Sequence, residues 1–138
     1  MLTDPDGTND LTHDIIGCGI KVHRALGPGL LESAYEPCLA LELTESGHVV
    51  ELRKPVPLVY RGITLDNCYF LDMMVDGRVI VELKSVEAFA PIHESQMLTY
   101  LRLTQSPVGL LMNFNVRVLK DGIRRIINPD AQGNGEPL

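Results

Sequence analysis

The sequence predicts one mixed α/β domain, and three features carry that expectation. Apolar residues recur at helical spacing over the first third. Strand-like segments broken by Asp-Gly turns then take over. Finally, a helical stretch opens at Pro91 and is followed by a short apolar strand. The expected order is ααβββαβ(ββ). A chain of 138 residues suits a single domain with a core of ordinary size.

Leu11 to Leu26 reads as the first helix, with Ile15, Cys18 or Gly19, Val22 and Leu26 at steps of three and four. Gly27-Pro28-Gly29 stops it. The second helix is expected from about Leu30 to Glu45, with Gly47 as a left-handed cap and Pro37 inside. Val49 to Tyr60 carries Pro55 and Pro57, which implies a bent or edge strand. Thr64 to Val75 and Val79 to Val86 are strand-like and flank Asp76-Gly77, a hairpin signal. Pro91 suits the first turn of a helix running to about Leu103. Val108 to Met112 is a short buried strand. Val116 to Leu119 and Ile123 to Ile127 flank Asp121-Gly122, a second hairpin signal. Residues 1–10 and 129–138 read as disordered tails around a domain of residues 11–128, on their Pro, Gly and Asp content.

The apolar share of 45% is that of a soluble globular protein. No stretch approaches the roughly 20 apolar residues of a membrane helix, and the acidic start lacks a signal-peptide layout. A cytoplasmic location is the default. Cys18, Cys38 and Cys68 are scattered, with no C-x-x-C pair, so they read as isolated thiols rather than a metal cluster. The net charge is −6, but five acids lie in the two tails. Arg117, Lys120, Arg124 and Arg125 form a basic group near the end and are the candidate nucleic-acid contacts.

Asp72 is followed after nine residues by Glu82-Leu83-Lys84. Residues two apart on a strand share a face, so Glu82 and Lys84 point the same way, opposite Val79, Val81 and Leu83. Such a face is either a solvated surface with a weak ion pair or the floor of a metal site. The metal reading sets a condition on the turn. A two-residue loop would pair Val75 with Arg78 and put Asp72 and Glu82 on opposite faces. A three-residue loop with Gly77 left-handed puts them on one face.

Glu32 shares a helix face with Tyr35, Leu39 and Leu43, and Glu36 follows one turn later. Glu32 is either an exposed first-turn acid favoured by the helix dipole or a carboxylate turned toward a partner. Gln96 and Tyr100 share a face of the third helix, with His93 near its start. A lone His at such a place is more often structural than catalytic.

The segment Gly29-Leu30-Leu31-Glu32-Ser33-Ala34-Tyr35 resembles the signature of the GxxExxY protein family. The likeness continues through Asp72, Val81-Glu82-Leu83-Lys84, Gln96 to Tyr100, Asn113-Phe114-Asn115 and Lys120-Asp121-Gly122-Ile123. That family is placed in the PD-(D/E)XK nuclease superfamily. The resemblance implies a restriction-endonuclease-like αβββαβ core with a mixed sheet flanked by helices. It also implies a Mg2+- or Mn2+-dependent nuclease site with Glu32, Asp72 and Glu82 as metal ligands and Lys84 beside them. Gln96 and Tyr100 resemble the Q-x-x-x-Y motif of RecB-like exonucleases. The chain departs from the superfamily pattern in having Leu71, not Pro, before Asp72.

Two classes of function follow. One is a phosphodiesterase acting on DNA or RNA, which in so small a chain calls for a homodimer, a larger assembly or a partner to grip a duplex. The other is a non-catalytic binding or assembly module that keeps the fold. A third, hydrolysis of a small phosphorylated molecule, needs no long basic groove.

Overall fold

Helix α1 (Thr8–Leu26) turns Leu11, Ile15, Cys18 and Val22 inward, the stripe expected from their spacing. A computed structural model describes residues 8–132. The start of α1 lies three residues inside the segment read as a tail, and Pro129–Gln132 forms a short helix α4 inside the other. The remaining tail residues lie outside those described. Helix α2 (Glu32–Glu45) runs through Pro37, and Gly47 beyond its end adopts φ +93°, the left-handed cap expected there.

Strands β1 (Val50–Tyr60), β2 (Ile63–Val75), β3 (Val79–Lys84), β4 (Val108–Asn113) and β5 (Ile123–Ile127) form one sheet in chain order. Among the described strands the β3–β4 pair alone is parallel, and helix α3 (Pro91–Thr104) makes the crossover between them. Strand β1, with its two prolines, lies at the sheet edge, where missing ladder donors are tolerated.

Two cores sandwich the sheet. Helices α1 and α2 pack on Met73, Val75, Val79, Val81, Leu83, Leu110 and Met112. Helix α3 packs on Leu71, Met74, Ile80 and Leu111 through Met97 and Leu101. Strands β3 and β4 are covered on both faces, which is why they read as nearly continuous apolar runs. Gly109 lets α3 sit close, because a Cβ there would run into the Met97 side chain.

One expected strand is absent. Residues 116–118 are irregular, and Leu119–Gly122 forms a 3-10 turn instead of a hairpin loop. Tertiary contacts override the hairpin pattern. The Val116 carbonyl is bonded to His23 Nε2 at 2.8 Å, and β5 pairs with β4. Among the described residues, no helix is long and apolar enough to cross a membrane.

Candidate metal and nuclease site

The β2–β3 turn meets the stricter condition set by the sequence. Val75 pairs with Val79, which leaves three residues in the loop. Asp76 and Gly77 both adopt left-handed conformations, φ +53° and +65°, and Arg78 N–H closes the turn on the Val75 carbonyl at 3.0 Å. The unfavourable φ at Asp76 is held in place through its carboxylate. That group accepts from Val49 N–H at 2.7 Å and bonds His48 Nδ1 at 2.7 Å.

The carboxylates come together where the β2–β3 ladder ends. The β2–β3 ladder runs only over Met73–Val75 against Val79–Val81. At the next level the side chains take over the hydrogen bonding. Leu83 N–H donates to Asp72 Oδ2 at 3.0 Å, and Asp72 N–H lies 3.4 Å from Glu82 Oε1. Strand alternation breaks here as well. Leu71 belongs to the core under α3, yet Met73, two residues on, belongs to the core under α1 and α2. Arg53, between Leu52 and Lys54 of β1, which pair with Met73 and Leu71, has φ +50°. The Asp72 carboxylate thus meets the β3 backbone at Leu83 as well as the Glu82 carboxyl.

Glu82 is 7% exposed. Burial, then a carboxyl–carboxyl hydrogen bond with Asp72 and the Asp72 charge, push its pKa up to about 9, against smaller pulls from the Asp72 backbone N–H and then from Lys84. Two oxygen-donor groups pressed together in a low-dielectric site suit a hard divalent cation, which would relieve their repulsion. Lys84, on the same side of β3, is half-buried.

The helical layers meet the pair from both sides. From α2, the half-buried Glu36 has its carboxyl pushed up by burial, then by Asp72 and by the nearby Glu32, while Arg53 pulls it down. Glu32 itself is exposed. Among the described residues no three acidic, His or Cys side chains form a ready metal cluster, so Glu32 is not gathered with Asp72 and Glu82. From α3, the Tyr100 hydroxyl pKa is raised by burial, then by Glu82, Asp72 and Tyr69. Tyr100 packs edge-on to Tyr69, with centroids 6.1 Å apart, and both line a cleft of about 260 Å³ with Gln96. His93 is structural: its Nδ1 accepts the Ala90 N–H at 3.0 Å and closes the start of α3.

The motif tyrosine, Tyr35, is fully buried. Its hydroxyl donates to the Gly27 carbonyl at 2.6 Å and accepts Leu30 N–H at 3.1 Å, and its ring stacks on Phe114 at 4.5 Å. It ties down the loop that leads into Glu32. Asn113 ties the exits of β3 and β4, with Oδ1 accepting Val86 N–H and Asn115 N–H at 3.1 Å and Nδ2 donating to the Val86 carbonyl at 2.9 Å.

The basic group does not form one patch. Arg124 faces the α3 side of β5, bonded to Glu94 at 2.8 Å and lying over Phe89. Arg125 points to the other side and donates to Asn9 at 2.8 Å. Arg117 and Lys120 instead line a cavity with Arg24. Sequence reading set Glu36 aside, gave Asn113 no role beyond its place in a motif, and missed Arg24 and Arg53. Glu36 had a readable signal in its place one turn after Glu32, whereas Arg24 had none.

A sequence model of the PD-(D/E)XK nuclease superfamily matches residues 9–126. No curated protein and no solved structure matches the chain. The match spans nearly all of the described chain, including the mixed sheet, the β2–β3 carboxylate pair and Lys84, and on that ground the chain belongs to the PD-(D/E)XK nuclease superfamily.

Proposed function

We propose that this chain is a Mg2+- or Mn2+-dependent phosphodiesterase that hydrolyses DNA or RNA, within the GxxExxY branch that its motifs resemble. The observation that carries the reading is the contact of the half-buried Asp72 with the buried Glu82, with Lys84 two residues beyond on the same side of β3. Asp72 and Glu82 would hold the cation, completed by an α2 carboxylate. The motif position is Glu32, and the electrostatic neighbour of Asp72 is Glu36. When bound, a divalent cation supplies Lewis-acid polarisation of the phosphodiester and lowers the pKa of a nearby water.

The protein's own groups have separate tasks. Lys84 presents an ammonium to the negative charge that grows on the phosphate in the transition state. Tyr100 and Gln96, beside the cleft, would orient the scissile phosphate or the ligating carboxylates. Asn113 fixes the strand end that carries Lys84, since Phe114 N–H bonds the Lys84 carbonyl at 2.9 Å.

The test is a cleavage assay on single- and double-stranded DNA and RNA with Mg2+ or Mn2+, wild type against Lys84→Ala. The expected result is a rate lower by about 10²–10³ with little change in Mn2+ affinity, since lysine is no cation ligand. Equal rates would leave Lys84 as a surface charge only. A wild type that cleaves none of these substrates would favour the second reading, a non-catalytic binding or assembly module. The net charge of −6 and the split basic group support that alternative. For either reading, a second copy or a partner would supply the grip on a duplex that one small domain lacks.

A further inference from the structure

We infer that Arg24, Arg117 and Lys120 form a second phosphate-binding site, apart from the carboxylate pair, which holds the backbone of the strand to be cut. The inference rests on the nuclease reading above.

The three cations line one cavity of about 410 Å³, together with apolar Ile20, Val118 and Leu119. All three are exposed, and among the described residues none has a salt-bridge partner. Five other cations are engaged, Lys21 with Glu42, Lys54 with Glu51, Arg102 with Asp130, Arg124 with Glu94 and Arg125 with Asn9, while Arg53, Arg61, Arg78 and Lys84 share with the three the lack of a salt bridge among the described residues; what sets the three apart is that they line one cavity together. A polyanion approaching a chain of net charge −6 meets overall repulsion, so binding depends on a local positive field. Apolar walls beside uncompensated cations strengthen such a field.

The site is held rigid and correctly placed. His23 Nε2 fastens the Val116 carbonyl to α1, and Asp121 N–H bonds the Val118 carbonyl at 3.0 Å. Strands β3 and β4 are parallel, so the segment after β4 leaves the sheet at the same end as Lys84. The end of α1 is at that end too. Ser85 Oγ, next to Lys84, donates to the Leu30 carbonyl at 2.7 Å, while Tyr35 links Gly27 to Phe114. A strand whose phosphate reaches Lys84 can run on across this end of the sheet, where the cavity offers its backbone a cationic anchor.

The test is fluorescence anisotropy of labelled single-stranded oligonucleotides with Ca2+ present, over a range of NaCl. Wild type is compared with Arg24→Ala, Lys120→Ala and the triple Arg24→Ala/Arg117→Ala/Lys120→Ala variant. Each phosphate contact adds about 0.7 to the salt slope of single-strand binding, so the triple variant should lose about 2 units. It should also bind on the order of 10²-fold more weakly at 0.1 M salt, with the single variants between. Melting temperature and Mn2+ affinity should stay at wild-type values. If wild type binds and the variants bind equally with the same slope, the second site is overturned while the nuclease reading stands. If wild type binds no oligonucleotide, both fall. If adenosine monophosphate alone titrates the cavity as tightly as the oligonucleotide does, the cavity is a free-nucleotide pocket and the strand anchor is overturned.

Discussion

The backbone amide of Asp72 points at the Glu82 carboxyl, 3.4 Å away, while the Asp72 carboxylate accepts the amide of Leu83, the residue after Glu82, at 3.0 Å. Two acids thereby replace the ladder hydrogen bonds just where β2 and β3 stop pairing. The exchange brings carboxyl groups into contact inside the protein, a costly arrangement unless a proton or a cation sits between them.

Glu82 should make the metal-free protein less stable as pH rises. Its folded pKa lies near 9, above the ordinary glutamate value, so the folded state holds a proton that the unfolded chain has released. Stability is therefore greatest below about pH 4.5 for this group and is lost between there and pH 9, with a slope of at most about 1.4 kcal/mol per pH unit. Glu82→Gln should flatten that dependence and melt higher than wild type at pH 8. Thermal unfolding in a chelator from pH 5 to 9 reads both, and parallel curves would refute the buried proton.

Asp72→Asn should abolish tight Mn2+ binding, lowering affinity by at least about 10–100-fold, while leaving the fold intact or slightly stabilised. The amide oxygen can still accept Leu83 N–H, and the repulsion on Glu82 is gone. Calorimetric titration with unchanged affinity would remove Asp72 from the ligand set.

The two acids of α2 make opposite predictions. If the electrostatic neighbour of Asp72 completes the site, Glu36→Gln weakens Mn2+ binding roughly tenfold, and Glu32→Gln changes it by less than about threefold. We expect that order. The reverse order would return the ligand role to the motif position Glu32.

Tyr35→Phe should destabilise the protein by about 1–2 kcal/mol, because it leaves the Gly27 carbonyl and Leu30 N–H without their partner. Urea denaturation measures the loss. A variant as stable as wild type would show that ring stacking on Phe114, rather than the hydroxyl, holds the loop.

The order of elements, the edge position of β1 and the apolar stripe of α1 were legible in the sequence, because each follows from spacing and from Gly and Pro chemistry within a few residues. So was the demand for an odd loop between β2 and β3, since strand pairing turns loop length into facing. What only the tertiary structure decided were the relations between distant segments. His23 reaching Val116 removed a strand that local pattern favoured. The hydrogen bonds that set the Asp72 carboxylate on the Leu83 amide and the Asp72 amide on Glu82 are not given by spacing. The packing of α2 brought the half-buried Glu36 into the field of Asp72, while Glu32, one turn earlier, stays exposed. The sheet separated Arg124 from Arg125, since adjacent strand residues face opposite sides, and the fold brought Arg24 to Arg117 across more than ninety residues of chain. Local periodicity says which residues can share a face; only packing says which faces meet.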